Sequence, residues 1–372
     1  MLELYFKQLE LTEKLLPNVI LPLHQRLQAA AHLPGGGLSR VLLTYKGRPS
    51  AAENPADAAK LRAALPPEVA VSCVWSAKNA YVGSGRSARG EHATKECATF
   101  AKFAEYNRQL EAAGCDSILV VSGAGAKKTL DSVETVRRAA ATAPPPLPLG
   151  VAFNPHIGGA LDPHGDETHR QAEWERLLAK LASGAVSQVW IAFGADTAAL
   201  QHSLERLRKE LGGMAAPPQL LGSLFVPTKA WIAKMRFRCW NGTYLGDKDA
   251  EGAYLSSVAA ATAVTKETLA LFVEYGVEPV IESSVRTAKE MEQATAMLMA
   301  PADEDAAGST EAGGGGGGKA NVGGEGAASV EGSAAGRGAE EVQSGGGQKR
   351  PHKELAMCSD VSDTPPLHVP HH

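Results

Sequence analysis

Apolar and β-branched residues gather in eight short runs between positions 1 and 300. They are LELYF (2–6), RVLLTY (40–45), VAVSCVW (69–75), SILVVS (117–122), PLGVAF (148–153), QVWIAF (188–193), QLLGSLF (219–225) and VEPVIESS (277–284). Each has the length and composition of a strand. The stretches between them carry helical spacing instead. In ATKECATFAKFAEYNRQLEAAG (93–114), Phe100, Phe103, Ala104 and Leu110 fall near one face, and Gly114 offers a stop. In ETHRQAEWERLLAKLASG (167–184), Trp174, Leu177, Leu178 and Leu181 point inward and Gly184 closes the helix. ENPADAAKLRAAL, LDSVETVRRAA, TAALQHSLERLRKEL, KAWIAKMRF, the 250–275 segment and VRTAKEMEQATAML complete the series.

Strands that alternate with helices imply parallel pairing through right-handed crossovers. Eight such units fit a (β/α)8 TIM barrel, a fold of roughly 250 residues. A doubly wound open sheet is the competitor, but it wants a glycine-rich first turn, and residues 6–16 hold no glycine. The predicted fold is therefore an α/β barrel over residues 1–300, with chemistry at the C-terminal ends of its strands. From 301 to 372 the composition changes: PADEDAAGSTEAGGGGGGKANVGGEGAASVEGSAAGRG contains six consecutive glycines. Such a segment buries too little apolar surface to offset its ordering entropy, so a disordered low-complexity tail is expected.

Charge narrows the classes further. Lys and Arg total 37 against 41 Asp and Glu, a net charge of −4, which gives no basic footprint for nucleic acid. The five cysteines (Cys73, Cys97, Cys115, Cys239 and Cys358) lack a CxxC pair and suit a reduced intracellular protein. The sequon at Asn241-Gly242-Thr243 is then a chance match. The N-terminus MLELYFKQLELTEKLLPNVILPL lacks a basic signal-peptide head, and no apolar run reaches the ~18–20 residues of a membrane span. A cytoplasmic location without membrane attachment is expected, with organelle import left open.

Three loops after predicted strands invite chemistry. GAGAKKT (123–129) follows the fourth strand, yet its glycine spacing matches neither a P-loop nor the GxGxxG fingerprint. It reads as a small-residue turn that lets a ligand approach the backbone, or as a plain tight turn. WSAKNAYVGSGRSARGEHATKE (75–96) carries Lys78, Arg86 and Arg89, suited to an anion or to a mobile surface loop. Lys78 also raises the distant alternative of a lyase or aldolase using a Schiff-base amine. NPHIGGALDPHGDETH (154–169) gathers His156, Asp162, His164, Asp166 and His169, but not at helical ligand spacing, so a solvated loop is expected and no metal.

Taken in order, the strand ends resemble the methylenetetrahydrofolate reductase family across roughly residues 1–300. LELYFK stands where that family has FEFFPP, so Glu3 matches its catalytic glutamate, while Phe6 and Lys7 replace the prolines. RVLLTYKG is similar to VSVTYG and places Thr44 and Tyr45 in a flavin pocket. SILVVSGAG stands where a strand ends in LRGD, putting Ser122, Gly123 and Ala124 beside the flavin without the family's acid. GVAFNPH resembles VAAYPE, with Asn154 at the aromatic position. AEWERLLAKLASGA resembles DLLNLKRKVDAGA, with Glu173 and Lys180 retained among the cofactor contacts. QVWIAFGAD resembles AITQFFFD, keeping Phe193 and Asp196 but placing Ala192 at a folate-contacting Gln. GSLFVPTKAWIAKMRF resembles PGILPVSNFKQAKKF, with Trp231 at another substrate-contacting Gln.

The resemblance implies a flavoprotein oxidoreductase of one-carbon metabolism and methionine biosynthesis. Hydride would pass from NAD(P)H through FAD to a folate or a related small molecule, with Glu3 as general acid. It leaves room for a homo-oligomer. The alternative it carries is a family-derived barrel that no longer turns over and serves in binding or regulation. Loss of the acid at Ala124 and of the amides at Ala192 and Trp231 removes the groups that tune a flavin and read a pterin.

Overall fold

The structure, a computed structural model, describes residues 2–4, 11–29, 38–44, 48–80, 91–122, 130–142, 145–237, 239–240, 242–247, 250, 253–282 and 287–299. The strands are β1 (Leu2–Leu4), β2 (Arg40–Leu43), β3 (Ala70–Ser76), β4 (Ser117–Val121), β5 (Leu149–Phe153), β6 (Val186–Ile191), β7 (Gln219–Leu224) and β8 (Glu278–Ile281). All their pairings are parallel and follow chain order, and the sheet curls until β8 meets β1 at the pair Leu2↔Ile281. The result is a TIM-barrel-like α/β fold.

The helices are α1 (Leu11–Ile20, of π geometry and containing Pro17), α2 (Leu21–Ala29), α3 (Arg48–Ala64), α4 (Ala77–Ala80), α5 (Glu91–Ala112) and α6 (Ser132–Thr142). They continue with α7 (Glu167–Leu181), α8 (Thr197–Leu211), α9 (Lys229–Phe237), α10 (Val258–Tyr275) and α11 (Ala288–Met299). Capping follows local chemistry. Asp166, Asp196 and Ser257 accept backbone N–H groups at the starts of α7, α8 and α10. Gly276 closes α10 at φ 66°, a left-handed geometry that favours glycine.

Strand periodicity sorts side chains to two faces. The outer set, including Val41, Leu43, Val71, Cys73, Ile118, Val120, Val151, Val189 and Ile191, is buried beneath the helices. Gly222 belongs to this face because a Cβ there would lie 2.2 Å from the Phe272 ring of α10. The inner set begins with a polar layer at the N-terminal ends of the strands. Arg40 of β2 donates to Ser72 of β3 and Ser117 of β4, both at 2.8 Å, and reaches Gln219 of β7 at 3.4 Å. Gln219 donates in turn to Glu278 at 2.6 Å, and Ser39 donates to the same carboxylate. With its amide turned to satisfy both ends, Gln188 accepts from Arg40 and donates to Ser117, each at 3.2 Å. Bonds that cross the lumen fix which face is inward. Counting in twos from these residues brings Thr44, Ser76, Ala192, Ser223 and Glu282 to the inner face at the opposite end.

The predicted series of elements is thus present in the predicted order, although several strands are shorter than their apolar runs. Helix α7 ends at Leu181, with Trp174, Leu177 and Leu181 buried as the spacing requires. Lys180 is buried on the same helix, which periodicity did not anticipate. Among the described residues no helix is long and apolar enough to cross a membrane. Residues 301–372 lie outside the described residues.

Candidate active site at the strand C-termini

The polar inner residues at the C-terminal ends form the candidate site. Glu282 follows β8 directly, its backbone held by an N–H bond to the Leu224 carbonyl at 2.8 Å. Its half-buried carboxyl accepts a hydrogen bond from the buried Ser223 hydroxyl of β7 at 2.5 Å. Removal from water pushes the Glu282 pKa up, and the Ser223 hydrogen bond only partly opposes this. The carboxyl therefore keeps its proton to a higher pH than a solvated glutamate. Sequence reading did not single out Glu282 or Ser223. The available signal was the alternation in VEPVIESS, which puts Glu278 and Glu282 on one face four residues apart.

The residues expected to hold a cofactor or substrate fall into three groups. Tyr45, Gly123 and Ala124 lie outside the described residues, and of Glu3 only the backbone is described, paired with Leu42. Thr44 lies just beyond β2 and Ala192 just beyond β6. The remaining positions are engaged in the scaffold. Ser122 accepts from the Ser132 backbone N–H at 2.9 Å and donates to its hydroxyl at 3.0 Å, which fastens the start of α6. Asn154 is held by its backbone N–H to Glu173 at 3.2 Å and by its side-chain amide to the Gly242 carbonyl at 2.9 Å. Lys180 donates to the Ala152 carbonyl at 2.9 Å, and burial lowers its pKa. Glu173 and Lys180 thus bind the β5 backbone to α7.

Phe193 and Trp231 likewise belong to an aromatic core. Phe193 meets Phe225 at 4.8 Å and Tyr254 at 5.4 Å between ring centroids. Trp231 stacks at 4.3 Å on Phe225 and meets Trp240 at 5.0 Å. Both are buried and packed against these aromatic neighbours.

The His/Asp loop is ordered by its own carboxylates. Asp162 accepts from Gly158 N–H at 2.9 Å and His164 N–H at 3.1 Å, while Asp166 caps α7 and bonds His169. Tyr244 beside Asp162 has its pKa pushed to about 12, first by burial and then by that carboxylate. His156 is fully enclosed, with Gly194 lying against its ring. Burial holds its pKa down to about 4, so it is a neutral core histidine at ordinary pH. Among the described residues no three His, Cys, Asp or Glu side chains could share a metal ion. Lys78 is exposed on α4, without the enclosure that activates a Schiff-base amine. A groove between α5 and α6 holds Arg137 and Arg138, but both pair with Glu134, whose pKa they lower to about 2.

No family model matches the chain, and no curated protein matches it. Solved structures share its architecture at low identity. A dihydrodipicolinate synthase family protein from Coccidioides immitis is 13% identical over 74% of this chain and 70% of its own, with a TM-score of 0.33. Dihydropteroate synthase from Stenotrophomonas maltophilia is 17% identical over 74% of this chain and 89% of its own, with a TM-score of 0.36. The carboxyl transferase domain of Rhizobium etli pyruvate carboxylase is 13% identical over 80% of this chain and 44% of its own, with a TM-score of 0.40. None of these three is a flavin reductase. The resemblance to the methylenetetrahydrofolate reductase family is therefore corrected, together with the flavin-linked folate reduction drawn from it and the non-catalytic relative offered as its alternative. The physical source of the error is visible in the structure. Glu173, Lys180, Phe193 and Trp231 matched short family motifs, but in this chain they tie β5 to α7 or pack in an aromatic core.

Proposed function

We infer that this chain is an acid–base enzyme whose site is the mouth formed by the strand C-termini. Its substrate is a small polar molecule bearing a carbonyl or hydroxyl group. Glu282 is the proton donor and acceptor, and Ser223 is its positioning residue. The supporting observation is the Glu282–Ser223 pair, 2.5 Å apart at the end of β7 and β8, with its carboxyl desolvated. A carboxyl with a raised pKa divides its population between acid and base nearer neutrality, where both halves of a proton transfer are served. Barrels of this architecture keep chemistry at this end of the sheet. Thr44, Ser76 and Ala192, small side chains at the same strand ends, share the inner face with this pair. In this reading the curled sheet is a full eightfold barrel forming one domain, residues 1–300. Residues 301–372 are a solvated tail, as their glycine content favours.

The test is a thermal-shift screen of small carbonyl and hydroxy acids on the full chain, followed by proton NMR of each hit in deuterated water. A bound hit should exchange a carbon-bound proton with solvent. Glu282→Gln should bind it yet lose exchange by about 100-fold. Exchange at full rate in Glu282→Gln would remove Glu282 from the chemistry.

A further inference from the structure

Cys73 lies on the outer face of β3, paired in register with Leu43 and Ile118, and is fully buried. Cys115 sits in the short link between α5 and β4, directly after Gly114, whose φ of 79° turns the chain back. Its backbone N–H is fixed to the Leu110 carbonyl at 3.0 Å, and 7% of its surface is exposed. The two sulfur atoms stand 3.6 Å apart. The other two described cysteines, Cys97 and Cys239, are exposed thiols. The chain therefore places one close dithiol inside the β3–β4 layer, between residues far apart in sequence.

We propose that Cys73 and Cys115 form an oxidisable dithiol, a modification site that a peroxide converts to a disulfide. The sulfurs need only close from 3.6 Å to the roughly 2.0 Å of an S–S bond, and both are carried by backbone that hydrogen bonds already hold. Cys115 is the entry point because it alone of the pair touches solvent. Its thiolate attacks one peroxide oxygen. An S–O bond forms, the O–O bond breaks, and the departing hydroxide takes a proton to become water. The Cys73 thiol then gives up its proton and attacks the sulfenic sulfur of Cys115, forming the S–S bond. The S–O bond breaks and the hydroxide leaves as a second water. In sum, two thiols and one peroxide yield one disulfide and two waters. Burial pushes the Cys73 thiol pKa up, so this second step waits on proton removal and the site responds slowly. The closed form staples β3 to the head of β4, closing a loop that contains α4 and α5.

The experiment treats the full chain with hydrogen peroxide and maps its cysteines under non-reducing conditions. The expected product is a linked peptide joining Cys73 to Cys115, lighter by two hydrogens and reopened by dithiothreitol. Oxidised protein should melt about 5 °C higher than reduced, because the link restricts the unfolded chain. Cys115→Ala should yield no such link and no melting shift. A chain carrying Cys97→Ser, Cys239→Ser and Cys358→Ser should still form it, which excludes exchange through other thiols. Two thiols that stay unlinked while Cys97 oxidises would overturn the proposal, as would a link from either cysteine to a different one.

Discussion

Two glutamates on the inner face of β8, four residues apart, meet opposite fates at the two ends of the sheet. Glu278 at the N-terminal end accepts from Gln219 and Ser39 in a layer built around the Arg40 guanidinium, so its charge is answered on several sides. Glu282 at the C-terminal end accepts, among the described residues, from one hydroxyl, and desolvation outweighs that bond. Identical side chains thus become a strut at one end and a carboxyl of raised pKa at the other. Neighbours supply the difference: Gln219 and Ser39 donate to one carboxylate in the field of the Arg40 guanidinium, whereas desolvation outweighs the single hydrogen bond of the other.

Removing Arg40 breaks the comparison most severely. Arg40→Met removes the guanidinium that donates to Ser72 and Ser117 and offsets the Glu278 charge, and urea unfolding should show a loss of about 3 kcal/mol. The double variant with Glu278→Gln should recover part of that loss, because the stranded charge goes with it.

Next in size is an effect at the opposite end, seen only in acid. Buried His156 is depressed from 6.5 to about 4, so its contribution is intact above pH 6.5 and is lost as pH falls through the folded value. The unfolded chain binds the extra proton in that window, which makes stability rise with pH there. Between pH 7 and pH 4 the loss should be about 3 kcal/mol, and His156→Leu should flatten that slope in pH-dependent unfolding.

Glu278→Gln alone should cost about 1 kcal/mol, the net value of the hydrogen bonds it weakens. Glu282→Gln should have the smallest effect and the opposite sign. A carboxyl whose folded pKa is raised loses stability as pH climbs from the ordinary carboxyl value through the raised one. The amide escapes that loss, so at pH 8 the variant should melt at or slightly above the wild-type temperature. A clear drop in its melting temperature would make Glu282 a second strut and erase the contrast between the two ends.

Much of the fold was legible in the sequence because its signals are local. Apolar runs of strand length, helical spacing in segments such as 167–184, and Gly114 or Gly184 at helix ends all depend on neighbours a few residues away. The candidate site was less legible. Lys180 and Glu173 read as cofactor contacts, yet their groups satisfy the β5 backbone, a need that appears only once β5 and α7 are adjacent. Trp231 and Phe193 read as substrate positions and became core, since nothing in a linear motif shows that Phe225, Trp240 and Tyr254 converge on them.

The sequence by itself determined the alternation of elements, the parallel class of the sheet and the alternating faces of each strand. All three follow from short-range sterics and periodicity. Which carboxylate meets several donors and which has its pKa raised by burial, which histidine is enclosed and which cysteines meet were settled only by the packed fold. Desolvation and Coulomb interaction act through space, and Arg40 and Glu278, or Cys73 and Cys115, become neighbours only when the sheet curls and its crossovers close.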